Sequence, residues 1–205
     1  MLVNDDYETI LDPSTNKAVR VLKDTTIRVI DFSYITFIEH RQRGERHTCM
    51  RVCPEMDLGI KWSYMADVWN IGNMLTKLYR GVWAETFQDV LRLCAKTQCQ
   101  CLNVRRLACL ERVIGPYPQA LINKRGYFFY SNGSVNIRYC TTKEKLDEKC
   151  KPLKSMMRSN EIENRNFFDL LEQMLRHDPD QRITLPRALK HPFFDALSEE
   201  QRTLQ

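Results

Sequence analysis

The stretch that most constrains the fold of this chain is residues 63–81. Ser63 stands where a helix N-cap would. Val68, Ile71, Leu75 and Leu78 then recur at helical spacing up to Gly81. Trp69, Gly72 and Tyr79 widen the apolar face well beyond one stripe. A helix apolar around so much of its circumference is expected in the middle of a core. The chain is long enough to surround it: 205 residues, 43% hydrophobic and 28% charged, suit one medium domain or a fragment of a larger one. Those proportions exclude a disordered chain.

The remaining elements follow from local pattern. Arg20-Val21-Leu22 and Ile27-Arg28-Val29-Ile30 flank the turn-like Lys23-Asp24-Thr25 and read as strands, the second running into Asp31. Residues 34–56 show no sustained period and read as a loop. Residues 82–103 mix Trp83, Phe87, Val90, Leu91 and Leu93 with cysteines and fit no single element. Residues 104–114 read as a helix with Leu107, Leu110 and Ile114 on one side, ended by Gly115-Pro116. Residues 125–139 are aromatic and contain glycine, as an irregular loop or hairpin does. Phe167, Leu170, Leu171 and Met174 mark an amphipathic helix that stops near His177-Asp178-Pro179. Thr184 is placed to cap a last helix, with Pro186 in its first turn, where a missing N–H costs little. The expectation is a mostly α architecture with a small β element near the start.

Charge and cysteine content narrow the function classes. A net charge of +5, from 31 basic and 26 acidic residues, is too small an excess to argue for nucleic acid, and no basic run carries the aromatics that stack on bases. No apolar run is long enough to span a bilayer. The start, Met1-Leu2-Val3-Asn4-Asp5-Asp6, lacks the basic and apolar parts of a signal peptide. The eight cysteines (Cys49, Cys53, Cys94, Cys99, Cys101, Cys109, Cys140 and Cys150) are therefore expected as reduced thiols inside a cell. Cys94, Cys99, Cys101 and Cys109 supply one close pair and no histidine, which fits ordinary thiols better than a zinc site.

Four short motifs occur in one order: Asp31-Phe32-Ser33, Cys53-Pro54-Glu55, Asp67-Val68-Trp69-Asn70-Ile71-Gly72 and Arg182-Ile183-Thr184. In protein kinases the matching places read DFG, APE, DxWxxG and an Arg before the last helices. Singly these are weak; in order over nearly the whole chain they resemble the C-terminal lobe of a protein kinase. Arg106-Leu107-Ala108-Cys109-Leu110-Glu111-Arg112, followed by Val113-Ile114-Gly115-Pro116, resembles the EHLAMMER signature of the LAMMER (Clk-type) dual-specificity kinases. Cys150-Lys151-Pro152-Leu153-Lys154 and Ala188-Leu189-Lys190-His191-Pro192-Phe193-Phe194 look like the same family.

The resemblance implies a partial kinase domain over residues 1–197 and a tail over 198–205. It begins after the family's catalytic loop, so the Gly-rich loop, the phosphate-binding Lys and the catalytic Asp and Asn have no counterpart here. Roughly a dozen residues are extra between Gly81 and Arg105, an unusual insertion around 83–103. DFG has become Asp31-Phe32-Ser33, and the family's TRHYRAPE has become Thr48-Cys49-Met50-Arg51-Val52-Cys53-Pro54-Glu55.

By the resemblance, Asp31 is the remnant of a Mg²⁺ site, useful only if an opposite lobe holds the nucleotide, and otherwise an Asp at a strand end. Glu55 and Arg182 are expected as a buried, bidentate structural pair, against the alternative of two unrelated surface charges. Asp67 is expected to be buried and short of donors, at a cost on the order of 1–3 kcal/mol. Trp69 is expected in the core. His40-Arg41-Gln42-Arg43-Gly44-Glu45-Arg46 reads as a solvated loop or a site for phosphate or acidic peptide. With the preceding helix of a kinase lobe missing, Val68, Ile71, Leu75 and Leu78 are expected to expose part of an apolar face, to be covered by another kinase chain or another protein.

Three functions compete. The first is a catalytically inactive kinase-like chain acting by protein binding, with no cofactor of its own. The second is an active kinase, using Mg and ATP, whose N-terminal lobe lies elsewhere. The third is a degenerate product without function. The family's substrates are Ser/Arg-rich splicing factors, but the peptide-docking segment around Cys49–Val52 has lost the family's residues. The resemblance implies a nuclear or cytoplasmic location.

Overall fold

In a computed structural model, residues 2–13, 16–32, 35, 53–80, 101–138 and 143–197 are described. The chain divides into two compact units, Met1–Phe37 and Ile38–Gln205. The architecture is mainly helical with one two-stranded sheet.

The first unit is a hairpin. Strand β1 (Tyr7–Leu11) pairs antiparallel with β2 (Ala18–Leu22), Tyr7 opposite Leu22 and Leu11 opposite Ala18. The turn closes by hydrogen bonds between Asp12 and Lys17 and from Asn16 N–H to Asp12 O, with Asn16 at φ 52°. Asparagine tolerates that left-handed conformation better than most residues. The strand expected at 27–30 does not form. Ile27 makes one isolated bridge to Leu2, and residues 28–30 carry no ladder. A β-branched run becomes a strand only where a partner supplies hydrogen bonds. The partner of β2 is β1, whose alternation is interrupted by Ile10-Leu11 and gave weaker warning.

The second unit is built from helices. After the short α1 (Pro54–Asp57) come α2 (Met65–Arg80), α3 (Cys101–Ile114), α4 (Gln119–Lys124), α5 (Lys143–Lys149), α6 (Ile162–Met174) and α7 (Leu185–Ala188). Ser63 Oγ accepts the Met65 N–H at 3.2 Å at the head of α2. Gly115, at φ 121°, and Pro116 end α3. Thr184 has the extended backbone of an N-cap, but its side chain makes no capping bond. Residues 126–136 form a 3₁₀ turn (Gly126–Phe128) and a small hairpin bridged between Phe129 and Val135. The insertion around 83–103 lies outside the described residues, except for its last three, which extend α3 at its start.

Two adjoining apolar clusters hold this unit. The larger joins Trp69 and Ala66 of α2, Leu107, Ala108, Cys109, Leu110 and Val113 of α3, and Phe167, Phe168 and Leu171 of α6. The smaller joins Met65 and Val68 with Leu170, Met174 and Ala188. Helix α2 is central because α6 packs along it. At the crossing, a Cβ on Gly72 would stand 3.0 Å from Met174 Cβ and 3.2 Å from Leu175 Cδ2. A methyl there would be tighter than most side-chain contacts, so Met174 or Leu175 would have to shift by a few tenths of an ångström.

Candidate functional site

Residues 53–60, with the short α1 at their centre, bury Cys53, Pro54, Glu55, Asp57 and Leu58, and three arginines from distant parts of the chain hold them. Helix α1 puts Glu55 and Asp57 into the interior, where each carboxylate needs a cation and hydrogen bonds. Arg182 meets Glu55 with two parallel bonds, Nη1 to Oε1 and Nη2 to Oε2, both at 3.0 Å, with both side chains fully buried. Its remaining donors reach the carbonyls of Met65 and Arg176. Its guanidinium lies 5.1 Å from the Trp69 ring. Planar five-donor geometry suits arginine, and not lysine, to this position.

Asp57 has an equivalent partner that the sequence reading did not assign. Arg106 of α3 donates to both of its carboxylate oxygens, Nε at 2.9 and 3.0 Å and Nη2 at closer range. Asn103 bridges Arg106 Nη2 and the Asp57 carbonyl. Arg125 completes the clamp, donating at 2.9 Å to the carbonyls of Leu58 and Gly59. The one signal available beforehand was that Arg106 opens the family signature. Nothing local pairs it with a residue 49 positions earlier.

Burial and the neighbouring Glu55 carboxylate push the Cys53 thiol well above the usual range. The thiol is thus a neutral packing group beside the ion pair.

The signature Leu107–Arg112 works as a joint. Leu107, Ala108, Cys109 and Leu110 are buried. Glu111 Oε1 accepts the Val135 N–H at 3.1 Å, which ties the small hairpin to α3. Arg112 bonds Glu111 at 2.8 Å and Asp147 of α5 at 3.0 Å. Burial raises the Glu111 carboxyl above its ordinary range, against the opposing pull of the Val135 N–H and Arg112. Tyr117 donates to Leu107 O at 3.1 Å and stacks on His177 at 3.9 Å. His177 Nε2 bonds Gly115 O at 2.9 Å.

The other expected residues fall as follows. Trp69 is in the core, 2% exposed. Asp67 is not buried: it sits exposed on the first turn of α2, and its carboxylate has no partner among the described residues. Nearby bulk still raises its pKa by desolvation, but at an exposed position the expected cost of a buried carboxylate short of donors does not apply. The expected apolar face is also smaller. Val68 is fully buried against α6, Ile71 and Leu75 are half-buried, and Leu78 at 68% and Met74 at 40% are exposed. Packing by α6 covers what the sequence alone left open. On the same helix Asn70 Oδ1 and Asn73 Oδ1 are buried without a hydrogen bond among the described residues.

Asp31 belongs to the hairpin unit, exposed and in the left-handed region at φ 63°. Ser33, the 40–46 stretch and Cys49–Val52 lie outside the described residues, as do Cys94 and Cys99. Among the described residues no three metal-type side chains gather, and no helix is long and apolar enough to cross a membrane.

The chain is 33% identical over 202 residues to the dual specificity protein kinase CLK1 of Homo sapiens, covering 97% of this chain and 39% of that protein. Human CLK2 gives 33% identity over 98% of this chain and 38% of its own length. The serine/threonine-protein kinase Doa of Drosophila melanogaster gives 32% over 98% and 24%. A crystal structure of a kinase domain superposes with a TM-score of 0.69 at 22% identity, over 93% of this chain and 54% of that one. No protein-family model matches.

Proposed function

We propose, for a chain that is a relative of the Clk-type (LAMMER) dual-specificity protein kinases, a non-catalytic role carried out by protein binding. One observation carries the reading. The three-arginine clamp on residues 53–60 is complete and ties segments far apart in the chain into one packed unit. Phosphoryl transfer depends almost entirely on positioning and electrostatic stabilisation, and among the described residues no three metal-type side chains gather to supply it. The clamp holds a packed scaffold on which a binding face can be presented. Met74 and Leu78, beside the half-buried Ile71, are the natural place for a partner on α2, whether another kinase chain or an unrelated protein.

The test is calorimetric titration of the purified chain with ATP and Mg²⁺, alongside a phosphoryl-transfer assay on a Ser/Arg-rich peptide. No saturable heat and no transfer are expected. Saturable binding that Asp31→Asn removes would overturn the reading.

A second reading has its own support. The chain spans 39% of CLK1 and 54% of the kinase-domain structure. An active dual-specificity kinase, nuclear or cytoplasmic and using Mg and ATP, results if the rest of the domain is supplied. The mass of the endogenous protein decides between the two: a species far above 24.3 kDa carrying a catalytic loop favours the active kinase.

A further inference from the structure

Asn132 and Gly133 sit at the tip of the small hairpin that Glu111 ties to α3. Gly133 donates its N–H to Tyr130 O at 2.9 Å, and Tyr130 donates its own to Ser134 O at 2.8 Å. Gly133 stands at φ 83°, and a Cβ there would meet Ile122 Cδ1 at 3.2 Å, so the turn favours glycine twice over. The result is an Asn-Gly pair, the one place in the sequence where glycine follows asparagine. Asn132 is exposed to solvent. Its Oδ1 accepts two hydrogen bonds from Ser134, from the N–H at 3.1 Å and from the hydroxyl at 2.8 Å. We propose that Asn132 is a self-modifying site: the Gly133 nitrogen attacks the Asn132 side-chain amide, Ser134 accelerates the attack, and the residue becomes aspartate or isoaspartate.

The chemistry needs only water. Hydroxide removes the Gly133 N–H proton as the bond to Tyr130 O opens, a local event at a surface turn. The nitrogen then bonds to Asn132 Cγ, an intramolecular attack that the missing glycine side chain leaves unhindered. The carbonyl electrons move onto Oδ1, where both Ser134 donors already stand to stabilise the developing charge. As they return, the bond from Cγ to the amide nitrogen breaks, and ammonia leaves with a proton from water, which restores the hydroxide. A five-membered succinimide remains. Water adding at Cγ opens it to aspartate; water adding at the backbone carbonyl opens it to isoaspartate. In sum, one amide and one water become one carboxylate and one ammonium. Isoaspartate carries the main chain one carbon further, at the tip of a hairpin bridged between Phe129 and Val135. The Val135 N–H that bonds Glu111 lies three residues on, so the modification loosens the joint between hairpin and α3.

The experiment incubates the whole folded chain in mildly alkaline buffer and follows each asparagine by peptide mapping, with isoaspartate counted by enzymatic methyl transfer. Asn132 is expected to convert faster than every other asparagine, at a rate that rises with pH. Ser134→Ala removes one of the two Oδ1 donors and should slow the conversion about twofold to tenfold, the worth of one hydrogen bond. Ser134→Thr keeps the hydroxyl and should keep the rate. In urea the Ser134→Ala difference should vanish, because the turn no longer places the donor. Amide exchange at Val135 should be faster in the isoaspartate form than in the unmodified chain. The ranking of Asn132 against the other asparagines needs no variant and stands if one fails to fold. Conversion at Asn132 no faster than elsewhere, a Ser134→Ala rate unchanged or raised in the folded chain, a slowing that persists in urea, or an unaltered Val135 amide would overturn the proposal.

Discussion

Gly72 and Met174 sit so close that a Cβ on the glycine would lie 3.0 Å from the Met174 Cβ. Neither position can yield cheaply, because one is helix backbone and the other is the first side-chain atom of a packed helix. Gly72→Ala is therefore expected to destabilise the protein by about 1–3 kcal/mol, despite alanine's better helix propensity. Chemical denaturation measures it. An unchanged or raised midpoint would show that α2 and α6 are not in this register.

Breaking the Glu55–Arg182 pair from one side strands a buried charge. Arg182→Met should cost about 3–5 kcal/mol by stranding the Glu55 carboxylate, and Glu55→Gln should cost a similar amount by stranding the Arg182 guanidinium. The double variant is expected to be more stable than the sum of the two losses predicts, so a double-mutant cycle reads the coupling. Additive losses would mean that the pair is not coupled in solution.

His177 gives the protein an acid limit. Burial foremost, with the nearby Arg182 charge, lowers its pKa from 6.5 to about 4, against the opposing bond to Gly115 O. The folded state thus disfavours the proton relative to the unfolded chain. This contribution is full above pH 6.5, falls as pH drops from 6.5 to 4, and is flat below. The whole loss amounts to about 3 kcal/mol. His177→Gln keeps an N–H for Gly115 O and removes the titration. Wild type minus variant stability should therefore decline over that window, and a flat difference would rule the assignment out.

Met74 and Leu78 are exposed on one face of α2. Replacing Leu78 by Lys is expected to leave stability within about 0.5 kcal/mol, as surface substitutions usually do. It should also reduce binding of a hydrophobic dye and any self-association. A large stability loss would mean that the side chain is packed in solution.

Much of this was legible in the sequence because the signals are local or ordered. Apolar spacing placed α2, α3 and α6 to within a turn, and Gly115-Pro116 marked an end. The motif order pointed to a kinase-like C-terminal lobe. Strand β1 and the strand expected at 27–30 went the other way, since pairing belongs to two segments at once. Asp67 misled for a related reason: its motif role supposes a neighbouring loop, and here it faces water.

What the sequence determined by itself is therefore helix position, the central place of α2 and kinship with the Clk-type kinases, because periodicity and motif order need no third dimension. Tertiary structure alone decided that Arg106 holds Asp57 and Arg125 holds Leu58 and Gly59, and that Val68 is covered while Leu78 is not. These are contacts between residues far apart in the chain. Their partners are chosen by how α3 and α6 pack around the buried carboxylates of α1, and no local pattern encodes that choice.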